Sequence, residues 1–571
     1  MIELILDSID GPTLFIWLFM PLYFIGFLIL HKLIGEKKAW IWHLLGVLPV
    51  IVFIVFYGLN YTKGDTSYSS GRYMFSGIAA LCILVFSQIS RIKRIFTSSA
   101  IVSGFLVMAF SFGTVLAVMV SGDMKFYNYT RMDWAESLDN AITTLDKQYV
   151  LRDHKQLDFE AIRSELVPRA EKAQAGNDKA EYLNILYDLC YELHDGHVRA
   201  TCSDMDAYSE AISRRAGNDY GLSMVRLENG EFIAVCVDER SEAFKSGIEN
   251  GTVMTEWDGV PVEEAAEAVK CYMPRMAFSS IENERFMQPI FLAGRGGETV
   301  EATFIDEQGS EKTVRLEKRG SYSGRLTAAA SPFMRKGTHD NFHAEMLNDN
   351  CGYLSITVER NDDIKDFIAF AKGEYPEIRD KVRKQLKDLE AQGMDRMIVD
   401  IRGNDGGMED IANAVVSLFT DEEFYVNAGR LADKKVRSTH KVKVGCSGEF
   451  KELPVVVLVN LDCASSGDVL AYRFAKCPNV QMMGMTSTWN CAQAVAGNIK
   501  LTDSEFDISF ASILTLGDND EIIIDAGPDR HSSIALDVKI PLEKDYVLSL
   551  YNSEEDVELQ YALDYIENKM K

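Results

Sequence analysis

The sequence predicts an N-terminal four-helix transmembrane region followed by a multidomain α/β body. Three observations support this fold class. The chain has 571 residues, which is too long for one hydrophobic core. Its first 120 residues are dominated by apolar stretches. From residue 350 onward, the pattern alternates strand, loop and helix, as in an α/β sheet.

The N-terminal region is predicted to cross a membrane four times. Each apolar stretch is close to bilayer-spanning length and almost free of charge, whereas a buried helix of a soluble domain is normally amphipathic. Basic residues are concentrated in loops 31–38 and 91–96, which the positive-inside rule places in the cytoplasm. The sequence therefore predicts a multi-pass protein of the cell membrane, with the lipid bilayer as a partner and the chain after residue 120 on the extracytoplasmic side. The four stretches are 15–30, 40–59, 73–86 and 101–120.

The charge and cysteine patterns exclude several partners. The whole chain carries a net charge of −26, and residues 1–120 contain 8 Lys+Arg against 5 Asp+Glu, so the remainder, with a net charge of −29, is more acidic still. Such a surface repels phosphate backbones, and nucleic acid is not an expected partner. None of the ten cysteines forms a CxxC pair, so the sequence indicates no zinc ribbon. No metal and no organic cofactor is predicted, and the oligomeric state stays open.

Residues 121–210 are predicted to form a helical cap segment, because apolar residues recur there at helical spacing. Gly196 is the expected helix end, which leaves His197 at a turn. A lone histidine at such a turn is more often structural than catalytic. Residues 217–318 change to short alternating strands with turn signals and predict a small β domain.

Residues 340–550 are predicted to form an α/β core, and a final helix is expected over 551–571. Apolar, β-branched runs at 396–401, 454–459 and 479–485 are typical of buried parallel strands. Chemistry in such sheets takes place at the carboxyl ends of strands, where the sequence has a glycine-rich loop and a serine pair. The pair, Ser465 and Ser466, lies at a predicted helix N-terminus. A serine there is either an N-cap or a nucleophile beside free amides.

Six motifs, in order, resemble the carboxyl-terminal processing (tail-specific) peptidases and their tricorn-core relatives. They cover roughly residues 135–545. The resemblance implies that the α/β body is a serine peptidase with an embedded PDZ-like domain. The motifs are YELHDGHV (191–198), SEAFKSGIENGTVMTEWDGVPVEEA (241–265), CGYLSI (351–356), DRMIVDIRGNDGG (395–407), VVVLVNLDCASSGDVLA (455–471) and GPDRHSSIALDV (527–538).

The resemblance assigns the nucleophile and the groups around it. Ser465 matches the family's nucleophile, and Asp468 matches the acidic position of its turn. The oxyanion donors would be the backbone N–H of Ser466 and that of Gly406 or Gly407. The PDZ-like segment implies a carboxylate-binding loop for a peptide C-terminus, at Tyr220, Gly221 and Leu222.

The branches of this family differ in the residue that acts as general base for the serine. Asn490 occupies the position of the processing branch's lysine, and an amide cannot accept the proton of a serine. The tricorn-like branch uses a histidine, which DGHV supplies as His197, so the sequence is closer to the Ser-His branch. Asp525 is the nearest candidate for the third catalytic residue. Asp529 is interpreted as structural, and His531 is a competing base without a counterpart in the family.

The resulting expectation is a membrane-anchored serine endopeptidase that hydrolyses extracytoplasmic proteins or peptides and recognises C-terminal tails. A catalytically inactive peptide-binding or scaffold protein on the same fold is the alternative, because the lysine is missing. A transporter or sensor is a third interpretation. It is disfavoured because the predicted spans contain no charged residue that would mark a transport path.

Overall fold

The computed structural model describes part of the chain, in two compact units. The first unit contains Met1–Ala141 and Ala496–Ser512, and the second contains Ile142–Val495 and Ile513–Lys571. The described residues are 48, 50–52, 125–274, 278–334, 341–360, 376–432, 435–502, 505–552 and 555–569.

The predictions of a four-helix transmembrane region and of a multi-pass membrane location are corrected by the structure. Within the described ranges, no helix is both long enough and apolar enough to cross a membrane. The described helix Phe159–Gly176, with 18 residues, carries several charged side chains and buries only one face. The predicted spans lie outside the described residues, apart from residues 48 and 50–52.

The first unit pairs the start of the described chain with a late strand. Lys125–Asn128 runs parallel to residues 497–500. The hydroxyl groups of Ser137 and Thr502 are 2.9 Å apart, which ties the helix Trp134–Gln148 to the segment after that strand. Hydrogen bonds between residues so far apart in sequence hold this unit together.

The second unit begins with a helical segment. Each of the three helices of this segment that follow residue 150 has an aspartate at its N-cap. These aspartates accept backbone N–H groups that the helices leave unpaired. The middle helix ends at Glu192, with Leu193 as its C-cap, and the turn that follows carries His197. The elements after the turn at residue 150 are the helices Phe159–Gly176, Lys179–Glu192 and Met205–Ala216 and the strand Arg199–Cys202.

An antiparallel β domain follows. In sheet order its main strands are Ser223–Arg226, Phe232–Val235, Val253–Trp257, Thr299–Ile305 and Glu311–Glu317, and Val260–Pro261 pairs with the third of these. Its helices are Glu242–Lys245, Val262–Glu267 and Ile281–Leu292, and Ser323–Ala330 and the 3-10 turn Ser331–Phe333 lead to the next domain.

The α/β core is a six-stranded sheet. Its first five strands are parallel and the sixth, at the edge, is antiparallel. Both faces are covered, and the central strands are fully buried, as their continuous apolar runs predict. In sheet order the strands are Val538–Lys539, Val480–Gly484, Val455–Leu458, Arg396–Asp400, Cys351–Ile356 and Phe342–Met346.

Helices cover the core sheet and a hairpin extends from it. Phe419 and Phe474 pack edge to face, 5.3 Å between ring centroids, where two of these helices meet. The two hairpin strands pair antiparallel, and their register shifts between Ala428 and Gly429, as at a β-bulge. The helices are Pro376–Glu390, Glu409–Val416, Ser466–Phe474, Lys544–Asn552 and Val557–Lys569, and the hairpin strands are Phe424–Ala432 and Lys435–Val444.

A buried arginine fixes the loop after the strand Arg396–Asp400. Arg402 is almost fully buried and donates to the carboxylates of Asp400 (2.6 and 2.9 Å), Asp556 (2.7 and 2.8 Å) and Glu558 (3.0 Å). A buried charge is tolerated because these partners satisfy its fork of donors. The network therefore joins the start of the glycine-rich loop to the C-terminal helix.

Candidate active site

Ser465 occupies a strained turn between a core strand and a helix. Its φ and ψ are 60° and −122°, a conformation that side chains other than glycine rarely adopt. Although Ser465 is at the N-cap position, its side chain makes no capping hydrogen bond. Its backbone N–H donates to the carbonyl of Cys491 at 2.9 Å. The N-cap interpretation is therefore wrong in this structure, and the hydroxyl is left available.

The glycine-rich loop packs directly against this turn. A Cβ atom at Gly406, whose φ is +93°, would lie 2.6 Å from the Cβ of Ser465 and 2.8 Å from the nitrogen of Ser466. The nitrogen of Ala464 donates to the carbonyl of Asn404 at 2.9 Å, which holds the two loops together. Only glycine at position 406 allows this close approach.

The hydrogen bonds of the loop distinguish between the two predicted glycines. The N–H of Gly406 donates to Asn404 Oδ1 at 2.9 Å and is therefore occupied. Within the described residues, the N–H groups of Gly407 and Ser466 have no partner. Gly407 is exposed, and Ser466 begins a nine-residue helix whose dipole favours an anion. The geometry favours Gly407 and Ser466 as the oxyanion donors.

His197 lies in a turn that an aspartate and a tyrosine fix. Asp195 Oδ1 accepts the backbone N–H of His197 at 2.8 Å, and Asp195 Oδ2 accepts the Tyr149 hydroxyl at 2.7 Å. His197 is only 6% exposed, and its Nδ1 has no hydrogen-bond partner in the described part of the chain. Burial lowers the pKa of His197 below its usual value, against the opposing charge of Asp195. The ring is therefore neutral at neutral pH and can accept a proton.

Cys491 contacts both the histidine turn and the serine turn. Its carbonyl accepts the N–H of Ser465, and its Sγ would lie 3.1 Å from a Cβ placed on Gly196. The same Cβ would also lie 3.2 Å from the ring of Trp489. A side chain at position 196 would therefore require Cys491 and Trp489 to shift by a few tenths of an ångström.

Asp525 is buried in the same cluster of acidic groups as Asp195. Its Oδ2 accepts the N–H of Ala492 at 3.0 Å and the Nε2 of Gln493 at 2.9 Å. Its Oδ1 has no hydrogen-bond partner among the described residues, and Lys155 Nζ lies 3.9 Å away. Burial, followed by the negative charge of Asp195, raises the pKa of Asp525 to about 7.

Asn490 is a structural connector in this site. Its Oδ1 accepts the backbone N–H of Ser533 at 3.0 Å and the hydroxyl of Ser532 at 3.1 Å, and its Nδ2 donates to the carbonyl of Thr488 at 2.9 Å. All its polar atoms are in use, so it neither replaces the lysine of the processing branch nor receives a proton.

Asp468 supports the segment that carries Cys491. Its two carboxylate oxygens accept the N–H groups of Asn490 and Cys491, each at 3.0 Å. We expect Asp468→Ala to lower the free energy of unfolding by about 2–4 kcal/mol, because two buried N–H groups lose their partner. Urea unfolding at pH 7 measures this value. Asp529→Ala, at an exposed position, is the matched control and should change it by less than about 0.5 kcal/mol. Equal effects of the two substitutions would contradict the bracing role.

His531 is placed at the surface. Its side chain is 67% exposed, and its Nδ1 lies 2.6 Å from Glu282 Oε1. This hydrogen bond raises the pKa of His531, so the protonated ring is favoured. Its pairing with Glu282 makes His531 a poor competitor of His197 for the role of base.

The predicted carboxylate-binding loop is partly satisfied internally. The hydroxyl of Tyr220 donates to the carbonyl of Gly297 at 2.7 Å, and the N–H of Gly221 donates to Asp219 Oδ1 at 2.8 Å. Leu222 is fully buried, and its N–H has no partner within the described ranges. A Cβ on Gly221 would lie 3.4 Å from Arg319 Nη1, so a cation lies beside the loop.

A serine on a strained turn beside unpaired amides, linked through Cys491 to the turn that carries a histidine, is consistent with a serine peptidase. Residues 351–521 match the family model described as "Peptidase family S41". The family resemblance that the motifs indicate is thereby confirmed for this segment, and the comparisons support a serine peptidase.

Several named proteins are similar to this chain. The chain is 21% identical over 425 residues to the "Carboxy-terminal processing protease CtpB" of Bacillus subtilis, covering 68% of this chain and 77% of that protein. It is 22% identical to a "Probable CtpA-like serine protease" of Staphylococcus aureus, over 46% of this chain and 45% of that protein. Among solved structures, mature CPAF complexed with lactacystin is 13% identical, with a TM-score of 0.49 over 76% of this chain and 99% of that chain.

Three supporting residues were not predicted from the sequence. Asp195 lies two residues before His197, Gln493 reaches the site through contacts between distant segments, and Glu359 belongs to a loop that no motif covers. Only Asp195 has a local signal, because an aspartate two residues before the histidine can accept that histidine's N–H as an Asx turn. The other two depend on tertiary packing.

Proposed function

We propose that the chain is a serine endopeptidase acting on protein tails, with Ser465 as nucleophile and His197 as general base. The observation that carries this proposal is the state of Ser465: a strained serine at a helix N-terminus whose hydroxyl caps nothing. Such strain costs about 1–3 kcal/mol and persists where function requires it. Strand-to-helix turns of this kind expose the nucleophile in other hydrolases.

In the first step, Ser465 Oγ attacks the carbonyl carbon of the scissile peptide bond, and His197 accepts the hydroxyl proton. The carbonyl oxygen becomes an oxyanion that the N–H groups of Ser466 and Gly407 stabilise. His197 then gives the proton to the leaving amine as the C–N bond breaks, which leaves an ester on Ser465. A water molecule hydrolyses this ester with the same proton transfers in reverse order.

The acidic groups tune the histidine. The charge of Asp195 favours the imidazolium that forms in the transition state, and burial keeps the resting ring neutral. Asp525 is the candidate third member, since its Oδ1 and His197 Nδ1 are both buried and unpaired within the described residues.

A catalytically inactive scaffold on the same fold is the second candidate, and Asn490 at the lysine position is the observation that favours it. Ser465 has a strained backbone and a hydroxyl that caps nothing, which argues against a scaffold, because a scaffold gains nothing from that strain. A peptide-binding role would be expected to relax the turn.

Tail recognition is supported by the names of the relatives and by the β domain. The CtpB relative is named a carboxy-terminal processing protease. In this chain, the Leu222 N–H and the Arg319 guanidinium lie beside Gly221 and would receive a terminal carboxylate, for which Arg319 would have to exchange its ion pair with Asp238 at 2.7 Å. The β domain would then present a substrate's C-terminus to Ser465.

A reporter with a flexible tail tests this function. A folded protein carrying an unstructured, apolar C-terminal extension is incubated with the chain, and its mass is followed. We expect the extension to be removed by the wild type and not by Ser465→Ala, and a reporter with an amidated C-terminus to be cut more slowly because the amide lacks the terminal charge. Equal rates for the two reporters would contradict tail recognition, and no cleavage of either would contradict the peptidase role.

A further inference from the structure

Glu359 is a buried carboxyl group beside the oxyanion loop, and the proposed reaction does not use it. Its exposed fraction is 0%, and its loop follows the core strand Cys351–Ile356. Its backbone brackets the glycines: the Glu359 N–H donates to the Gly406 carbonyl at 3.2 Å, and the N–H of Met408 donates to the Glu359 carbonyl at 2.8 Å. A Cβ on Gly407 would lie 2.3 Å from that carbonyl oxygen.

The side chain of Glu359 is also connected to the loop. Asn404 Nδ2 donates to Glu359 Oε1 at 2.7 Å, while Asn404 Oδ1 accepts the N–H of Gly406. The Asn404 amide therefore couples the carboxyl group to the loop conformation. Because Gly406 is thereby occupied, Gly407 is the glycine that remains free to bind the oxyanion.

Two polar atoms next to each other are unpaired at this point. Within the described residues, neither Glu359 Oε2 nor Ser466 Oγ completes a hydrogen bond, and Ser466 is only 4% exposed. The hydroxyl is nevertheless close enough to affect the ionisation of the carboxyl group. A proton on Oε2 would give the pair a donor and an acceptor, and the neutral form is favoured because Glu359 is fully buried and has no cation partner among the described residues.

We propose that Glu359 is a positioning residue that holds the oxyanion loop as a neutral carboxylic acid, and that its ionisation disables the peptidase. This inference rests on the proposed function. A negative charge on Glu359 would face the oxyanion that forms at Ser466 and Gly407, and like charges repel strongly where water is scarce.

The groups around Glu359 support the neutral form. Burial is the main cause that raises its pKa to about 8, and the carboxylate of Asp405 adds to the effect. The Asn404 amide, the backbone N–H of Glu359 and the Ser466 hydroxyl oppose it. Burial also raises the pKa of Asp468 and of Asp525, and the comparison with Glu359→Gln separates their effects from that of Glu359.

The test measures the rate at which a fluorophosphonate labels Ser465 between pH 6 and pH 10 in the wild type and in Glu359→Gln. The glutamine keeps the hydrogen-bonding shape but cannot ionise. We expect the wild-type rate to fall by about tenfold per pH unit above about 8 and the variant's rate to stay level. Glu409→Gln is the matched control: Glu409 is another buried carboxyl, with a pKa raised by burial to about 7, and its substitution should leave the alkaline fall in place.

A stability measurement separates this inference from the proposed function. Since the folded pKa of Glu359 lies above the unfolded value of 4.5, the wild type should lose stability relative to Glu359→Gln as the pH rises from about 5 to about 8, and no further above it. An equal pH dependence of the melting temperature in both proteins would overturn the neutral-acid role. If Ser465 is labelled and the labelling rate falls equally above pH 8 in the wild type and in Glu359→Gln, the positioning role is overturned. If Ser465 is not labelled but the two proteins show the expected difference in stability, only the proposed function is contradicted.

Discussion

Replacing Ser465 with alanine is expected to lower kcat by about 10⁶-fold, because the attacking oxygen is removed. The same change should leave the free energy of unfolding within about 0.5 kcal/mol of the wild type, since the hydroxyl makes no capping hydrogen bond. Hydrolysis of a peptide substrate and urea unfolding, measured on the same preparation, check both halves of this prediction.

If Ser465→Ala lost stability but kept its activity, Ser465 would be an ordinary N-cap. Removing a serine N-cap typically costs about 1 kcal/mol of stability and has no effect on chemistry. Ser487→Ala is a matched control, because the Ser487 hydroxyl bonds to Ser532 and to the carbonyl of Ile534 and has no part in the proposed reaction. Its activity should stay close to that of the wild type. If Ser465→Ala loses stability but keeps activity, the assignment of the nucleophile is wrong.

Replacing His197 with alanine should cause a loss of the same order as Ser465→Ala, about 10⁶-fold in kcat. The two groups act as one unit, since a serine without a base is a weak nucleophile. The double variant should therefore be no less active than either single variant. Steady-state kinetics of the three proteins, with protein purified to exclude contaminating peptidases, measure this non-additivity.

His531→Ala is the matched control for that experiment. His531 is exposed and hydrogen-bonded to Glu282, so its replacement should leave kcat unchanged. Activity that survives in His197→Ala and disappears in His531→Ala would reverse the assignment of the base. Losses of the two single variants that multiply in the double variant would show that Ser465 and His197 act independently.

The sequence predicts the core well, because its strands are specified by local composition. The runs around Val399 and Val457 are continuous and β-branched, and both strands are buried and parallel. The helix before His197 ends at Glu192, ahead of the predicted Gly196, because Asp195 turns the backbone there with its own side chain. The transmembrane prediction rests on hydropathy and on the charges of the loops, and no helix among the described residues is both long enough and apolar enough to cross a membrane.

The site is only partly predictable from sequence. Ser465 follows from its place after a buried strand and from the family motif, but its strain requires the contact with Gly406, which closes only in three dimensions. The choice between Gly406 and Gly407 depends on the Asn404 side chain. Glu359 carries no local signal, because its buried environment is assembled from segments distant in sequence.

The central claim is that Ser465 is a nucleophile activated by His197. The most direct measurement is to treat the protein with a fluorophosphonate and locate the adduct by mass spectrometry in the wild type, Ser465→Ala and His197→Ala. The account predicts one adduct, on Ser465, that is absent from both variants. An adduct on another serine, or a folded wild-type protein that remains unlabelled, would contradict it.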